Sequence, residues 1–258
     1  MKNIRQHDRV RKEFSQQALP YSQTPSISDA GRLQKLVTAV SPDSDARVLD
    51  VACGPGYVAL AFAEVCREVV GIDLTPEMLE VAESHRRQRQ VTNASFQLGA
   101  AEKLPFRNQE FDVVVSRLAL HHWQTPRRII AEMARVCRRG GTIALEDLIT
   151  SEHTRRASFQ NRIEKLRDPS HTTAVSASAL LQLLAAAKLE IITMHSDELL
   201  QDAERWMTTS RTPEKIARKV RALLEQDEKR DLSGLSPFRV QGRLQFRQQM
   251  LTVVTRKL

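Results

Sequence analysis

The sequence predicts an α/β protein built on a doubly wound, mostly parallel sheet, and three observations carry that prediction. Between residues 47 and 150, short apolar runs alternate with stretches of helical periodicity. The first of those runs ends in a glycine turn, Gly54-Pro55-Gly56, that opens directly into an apolar helix. The runs are continuous rather than alternating with polar residues, as strands covered on both faces are.

Element by element, Arg47–Val51 reads as a first strand running into the glycine turn, and residues 57–66 as the helix behind it. Residues 68–73 form a second strand, after which Thr75 and Pro76 supply an N-cap and a first-turn proline for a helix reaching about residue 88. Residues 95–98 and 111–116 are the third and fourth strands. A helix over 126–138 is stopped by Gly140-Gly141, and a fifth strand covers 142–145. Beyond Asp147 the pattern changes: 151–173 is polar and irregular or helical, and 176–188 is an Ala/Leu-rich helix. Strands over 189–194 and 250–256 flank a region, 197–235, that reads as helical. That makes seven strands. A sheet of this kind binds its ligand at the carboxyl ends of the strands, where the strand order reverses.

Composition narrows the classes. With 41% hydrophobic and 27% charged residues in a chain of 258, the sequence is neither disordered nor membrane-embedded, and no apolar run reaches membrane-spanning length. The basic first thirteen residues lead into no apolar segment, which argues against secretion. Cys53, Cys66 and Cys137 lie far apart, which argues against a disulfide framework and a zinc site, so a cytoplasmic location is expected. The formal charge of +8 sits in the flanks: residues 47–150 hold 13 basic and 13 acidic side chains, residues 151–258 hold 19 and 13. Such a flank could meet an acidic ligand, a phosphate or a membrane surface. In 214–225, however, Ile216, Val220, Leu223 and Leu224 keep helical spacing while Lys215, Arg218 and Lys219 point elsewhere, which is the pattern of a solvated helix face. Aromatic residues make up 5% and do not interleave with the basic ones, so nucleic acid is disfavoured as a partner.

The motif Asp50-x-Ala52-x-Gly54-Pro55-Gly56 decides what the turn holds. Glycines let the backbone approach a ligand closely, and the following helix aims free N–H groups at it. Two ligand classes remain. Gly54-x-Gly56-x-x-Ala59 fits a dinucleotide turn, with Asp73 near the position of a ribose-binding acid. Asp50, four residues before the first glycine, would crowd a pyrophosphate and suits a ligand carrying an ammonium group.

The run Asp50-Val-Ala-Cys-Gly-Pro-Gly56, with Gly71-Ile-Asp73-Leu74, Met78-Leu79, Ala101-Glu102-Lys-Leu-Pro-Phe106 and Phe111-Asp112-Val-Val-Val, resembles the class I S-adenosylmethionine-dependent methyltransferases. More narrowly it is similar to the ubiquinone/menaquinone-biosynthesis C-methyltransferases and their small bacterial relatives. Arg117-Leu-Ala-Leu-His121-His122-Trp123, Asp147, the segment Leu166 to His171, and Trp206 extend the likeness less specifically over most of the chain. The resemblance implies a Rossmann-like seven-stranded fold with a helical cap. Residues 1–46 would be a helical lid carrying Phe14, Ala18 and Tyr21, residues 47–150 the cofactor core, and 151–258 the last strands with an inserted cap.

It also implies roles. Asp50, Ala52, Cys53, Gly54 and Gly56 would hold the methionine moiety of S-adenosylmethionine, and Asp73 the ribose hydroxyls. Leu74 and Met78 would pack on the adenine, Ala101 and Glu102 would lie at its edge, and Arg117 near the methionine carboxylate or the substrate mouth. Relatives usually carry Gly-Asp-Ala-Glu where this chain has Gly99-Ala100-Ala101-Glu102, so one adenine-edge carboxylate is absent. No metal is implied. The acceptor would be a small, aromatic or quinone-like molecule methylated at carbon or oxygen, with His121, His122, Asp147 or His171 as base. An RNA acceptor and a non-catalytic cofactor-binding partner protein stand as alternatives, and monomer and dimer both remain open.

Overall fold

The computed structural model describes residues 2–258, with side chains from residue 5 onward. Helices α1 (Lys2–Ser22), α2 (Pro25–Ser28) and α3 (Ala30–Val40) precede β1 (Arg47–Val51). Then follow α4 (Tyr57–Ala63), β2 (Glu68–Asp73), α5 (Pro76–Gln88), β3 (Ala94–Leu98) and β4 (Phe111–Arg117). A short 3₁₀ turn, Leu120–His122, leads to α6 (Pro126–Val136), β5 (Cys137–Thr150) and α7 (Thr154–Arg167). The chain ends with β6 (Val175–Ser176), α8 (Ala177–Ala186), β7 (Leu189–Asp202), α9 (Ala203–Thr209), α10 (Glu214–Arg230), β8 (Phe238–Val240) and β9 (Arg243–Lys257).

The sheet runs β3-β2-β1-β4-β5-β9-β7, parallel from β3 to β5 and antiparallel through β9 and β7. The α/β class with a mostly parallel core is as expected. The sheet has nine strands rather than seven, because β6 pairs with β5 and β8 with β9 at the edges of that path. The order reverses between β1 and β4, which opens a crevice at their carboxyl ends. Alternation along the strands feeds two cores: Leu49, Val51, Val114 and Ile143 pack toward α6 and α8, whereas Val48, Val69 and Val113 pack toward α3 and α4.

The later strands depart from expectation. β5 runs on to Thr150, β7 to Asp202, and β9 begins at Arg243. Residues 197–202 carry no local strand signature, yet they pair antiparallel with 245–250, so tertiary pairing overrides local preference. Gly140 and Gly141 stop no helix, since α6 ends at Val136. They lie inside β5, where the β4–β5 register shifts. Gly140 has φ +71°, and a Cβ on Gly141 would stand 2.7 Å from the Asp112 carbonyl oxygen. Helices α7, α9 and α10 form a cap with its own core around Ile163, Trp206, Val220 and Phe246. On α10, Lys215, Arg218 and Lys219 are exposed, the solvated face that the spacing predicts. Among the described residues, no helix is long and apolar enough to cross a membrane.

Candidate active site

Two cavities meet over the carboxyl ends of the strands. The first, a cleft of about 980 Å³, is floored by Ala52 to Pro55 and Ile72 to Thr75, and α1 lies across its top. The second, a chamber of about 1080 Å³, lies between α1, the β4–α6 turn and the cap. Phe14, Tyr21, Ile27, Leu118 and His122 line both, so the two communicate there. The backbone is bent at two strand ends beside the cleft: Ala52 after β1 and Leu118 after β4, the latter at the junction, both have φ above +50°. For residues with a Cβ that conformation is strained, and it clusters at functional sites.

The cleft has the chemistry of a nucleoside site. Asp73 ends β2, and its carboxylate accepts N–H bonds from Gly54 (2.9 Å) and Thr75 (2.8 Å). It thereby clamps the two loops that form the floor, and each oxygen keeps acceptor capacity for a ligand hydroxyl. Burial pushes its pKa up while those backbone donors oppose the rise. A Cβ on Gly54 would meet nothing within 4 Å, so this glycine faces open space. Leu74, Met78 and Ala101 supply apolar wall, and Glu102 borders them with its carboxylate 3.0 Å from His7 Nε2 on α1. Gln6 is 3% exposed; its amide nitrogen donates to the carbonyls of His122 and Ser170, while its Oε1 has no partner among the described residues. An acid at a strand end, an open glycine, an apolar slot and a buried acceptor awaiting a donor fit a bound adenosine with an amine-bearing tail.

Several expected residues stand elsewhere. Asp50 does not line the cleft. It is 1% exposed, and its Oδ2 accepts the Ala59 N–H at 3.0 Å, capping the first turn of α4 from beneath. Burial raises its pKa to about 7. Gly56 is also outside the cleft wall: it is the N-cap of α4 with φ +81°, and a Cβ there would stand 2.8 Å from the Phe96 ring. Its glycine serves close packing rather than ligand approach. Ala100 is not part of the wall, which is built by its neighbours Gly99, Ala101 and Glu102. Thr75 makes no side-chain cap on α5, although Pro76 starts that helix as expected. Arg117 borders the cleft, but its guanidinium is bound to Glu146 at 2.5 Å and to the carbonyls of Ser26 and Ile27.

The histidines separate into distinct settings. His122 stands at the junction of the cavities, its Nδ1 3.1 Å from Ser170 Oγ and its ring edge-on to Phe14. His121 lines the chamber alone, with Nδ1 2.5 Å from Asp147 Oδ1. Asp147 itself lines neither cavity; it also accepts the N–H groups of Leu120 and Leu148 and so orients His121. Asp147 holds the His121 pKa up against the opposing effect of burial. Burial and the adjacent His121 push His122 down to about 4. His171 lines neither cavity, because its Nε2 is spent on Asn161 Oδ1 at 2.7 Å and burial keeps it neutral. Neighbouring titratable groups pushed in opposite directions are the arrangement that acid–base sites use. Sequence reasoning missed Gln6 and Ser170, which take part through contacts between distant parts of the chain, and Gln17, which lines the chamber.

The Asp50 geometry makes a testable statement. With the native pKa near 7 and an ordinary unfolded value of 3.8, its contribution to stability is fully present below about pH 4 and is lost as pH rises through 7. Asp50→Asn keeps an acceptor for the Ala59 N–H without a charge to bury. The melting temperature of the variant should therefore gain on that of the native chain between pH 5 and pH 8. Parallel melting curves over that range would refute the burial-raised pKa of Asp50.

Comparison with known proteins gives the same class. Residues 49–145 match the methyltransferase domain family. The chain is 33% identical over 200 residues to the methyltransferase YcgJ of Bacillus subtilis, covering 78% of this chain and 79% of that protein. It is 32% identical to YafE of Escherichia coli, over 64% of this chain and 80% of that one. The crystal structure of YcgJ superposes with a TM-score of 0.82 at 30% identity, covering 88% of this chain and 98% of the other. A methyltransferase structure from Bacillus halodurans gives the same TM-score at 28% identity, with 88% and 99% covered.

Proposed function

The chain belongs to the class I S-adenosylmethionine-dependent methyltransferases, and from that premise we propose that it methylates a small, aromatic or quinone-like metabolite held in the chamber beneath the cap. The observation that carries this reading is the junction of the two cavities at His122, which gives a methyl donor and an acceptor one shared wall. Bound S-adenosylmethionine supplies a sulfonium methyl that already carries its leaving group. The protein's task is then alignment and exclusion of water, which can contribute roughly 7–11 kcal/mol.

Asp73 takes the ribose hydroxyls, Leu74 and Met78 hold the adenine faces, and Ala101 and Glu102 stand at its edge. Glu102 is engaged by His7 of α1, so an adenine amino group reaching that carboxylate competes with the contact that fastens α1 across the cleft. Ala52, Cys53 and Gly54 line the part of the floor assigned to the methionine tail, and the Gln6 oxygen offers its ammonium a buried acceptor. Phe14, Tyr21, Ile27 and Leu118 bring apolar surface to both cavities at the point of transfer, and Leu148, Leu199 and Trp206 continue it into the chamber. That surface suits a flat, partly apolar acceptor.

Calorimetry tests the cofactor site directly. S-adenosylhomocysteine should bind in the micromolar range, NADH should not compete, and saturating product should raise the melting temperature by mass action. Binding of NADH in place of S-adenosylhomocysteine would overturn the assignment. A structure determined with S-adenosylhomocysteine after soaking with a metabolite extract should show the acceptor in the chamber; an acceptor on the outer basic face would overturn the proposed location.

A further inference from the structure

We propose that the acceptor is a hydroxyl compound whose proton passes to Nε2 of His122, and that Ser170 and Asp168 are the positioning residues that fix His122 in the required tautomer. This rests on the reading of the cleft as the methyl-donor site. Asp168 is 3% exposed, and its Oδ1 lies 2.6 Å from Ser170 Oγ and 2.8 Å from the Ser170 backbone nitrogen. At 2.6 Å from a carboxylate oxygen, the serine hydroxyl must donate to it, because two lone-pair oxygens without a hydrogen between them would repel. Ser170 Oγ therefore has only acceptor capacity left for His122 Nδ1 at 3.1 Å. The imidazole carries its hydrogen on Nδ1, and Nε2 keeps a lone pair.

The frame around this contact is held from both sides. Gln6 Nε2 bridges the carbonyls of His122 and Ser170 at 3.1 and 2.6 Å. Thr172 donates to the His121 carbonyl through both its backbone nitrogen and its hydroxyl, each at 2.8 Å, and its hydroxyl also reaches the Trp123 carbonyl. The loop after β4 is thus fastened to residues 170–172, and the His122 ring on it is held by its own Nδ1 contact with Ser170 Oγ. Burial beside His121 keeps the ring neutral at physiological pH, so the lone pair is present.

Gln17 on α1 is 3% exposed and lines the chamber, and its Oε1 has no partner among the described residues. A buried acceptor without a donor calls for a ligand that presents O–H or N–H groups. A hydroxyl acceptor meets both requirements, with one group toward His122 and another toward Gln17. In the transfer, the acceptor oxygen forms a bond to the methyl carbon as its O–H bond breaks, and the proton goes to His122 Nε2. The carbon–sulfur bond breaks with its electron pair left on sulfur, which becomes a neutral thioether. The His122 imidazolium then returns its proton to water.

Nuclear magnetic resonance of protein labelled with ¹⁵N-histidine, recorded with and without S-adenosylhomocysteine, reads the tautomer, and His122→Gln assigns the signals by their loss. Native His122 should be neutral with hydrogen on Nδ1 at pH 7. Ser170→Ala should erase that preference and Ser170→Thr should keep it. Asp168→Ala frees the serine hydroxyl to donate to Nδ1 and should move the hydrogen to Nε2. Hydrogen on Nε2 or a charged ring in the native protein, or an unchanged tautomer in Ser170→Ala, overturns the positioning role. Incubation of the native enzyme with a metabolite extract and ¹³C-methyl-labelled S-adenosylmethionine should yield a methyl resonance in the O-methyl range. A product methylated on nitrogen or carbon, or no labelled product, counts against the hydroxyl acceptor. Failure of S-adenosylhomocysteine to bind in the same samples would count against the cofactor site instead.

Discussion

Arg117→Ala should cost about 3–5 kcal/mol of stability, the loss expected when one partner of a buried ion pair is removed. Both side chains are almost wholly enclosed, at 5% and 10% exposure, and their contact is 2.5 Å. Truncation leaves the Glu146 carboxylate buried with one remaining side-chain donor, the Thr252 hydroxyl at 2.8 Å. For a chain of this size each kcal/mol corresponds to about 2–4 °C, so a fall in melting temperature of roughly 6–20 °C is expected. The same truncation removes the donors to Ser26 and Ile27, which secure α2 at the rim shared by both cavities. Affinity for S-adenosylhomocysteine should therefore fall along with stability. Pairing Arg117→Met with Glu146→Leu removes the stranded charge, and the double variant should recover much of the lost stability while cofactor affinity stays low. A double variant no more stable than Arg117→Ala would mean that the carboxylate is not what the truncation strands.

The sequence reading assigns Arg117 to the methionine carboxylate or the substrate mouth. The structure puts its side chain beside the cleft but commits three of its donors to protein acceptors. The difference is instructive, because local pattern locates a residue along the chain better than it locates its partners. Strands β1 to β4 and the glycine turn are legible because continuous apolar runs and Gly54-Pro55-Gly56 record local geometry. Asp73 is legible for the same reason: the end of a strand in a parallel sheet is where ligands bind. Asp50 shows the limit. Its position in the motif is compatible with a ligand contact or a helix cap, and only the direction of α4 makes it the cap of Ala59.

The contacts that build the junction are illegible for a different reason. Gln6 meets His122 across 116 residues and Ser170 across 164, and Ser170 meets His122 across 48. Such pairings depend on how α1 and the cap fold back over the sheet, and neither helical nor strand periodicity encodes them. The extension of β7 to Asp202 has the same origin, since residues 197–202 gain their strand form from β9. The histidine pair is visible in the sequence, but the division of roles between His121 and His122 is not. That division comes from Asp147 on one side and from Ser170 with Asp168 on the other.

Asp73→Ala should weaken S-adenosylhomocysteine binding by at least tenfold. A hydrogen bond to a charged group contributes about 1.5–3 kcal/mol, which corresponds to roughly ten- to 150-fold in dissociation constant. The effect should lie toward or beyond the upper end, because the carboxylate has two tasks. On the proposed reading it takes the ribose hydroxyls, and through Gly54 and Thr75 it also fixes the two loops that floor the cleft. With the carboxylate gone, those two N–H groups lose their acceptor in the apo protein, and the floor of the cleft must be ordered at the expense of binding. Asp73→Asn separates the two tasks poorly, since its NH₂ group would face a backbone donor in place of one oxygen; it should bind nearly as weakly as the alanine variant. Calorimetry with S-adenosylhomocysteine on both variants, with apo melting temperatures alongside, makes the check. An asparagine variant with native affinity would show that neither the charge nor the double backbone clamp matters, and would leave Asp73 as an ordinary strand end.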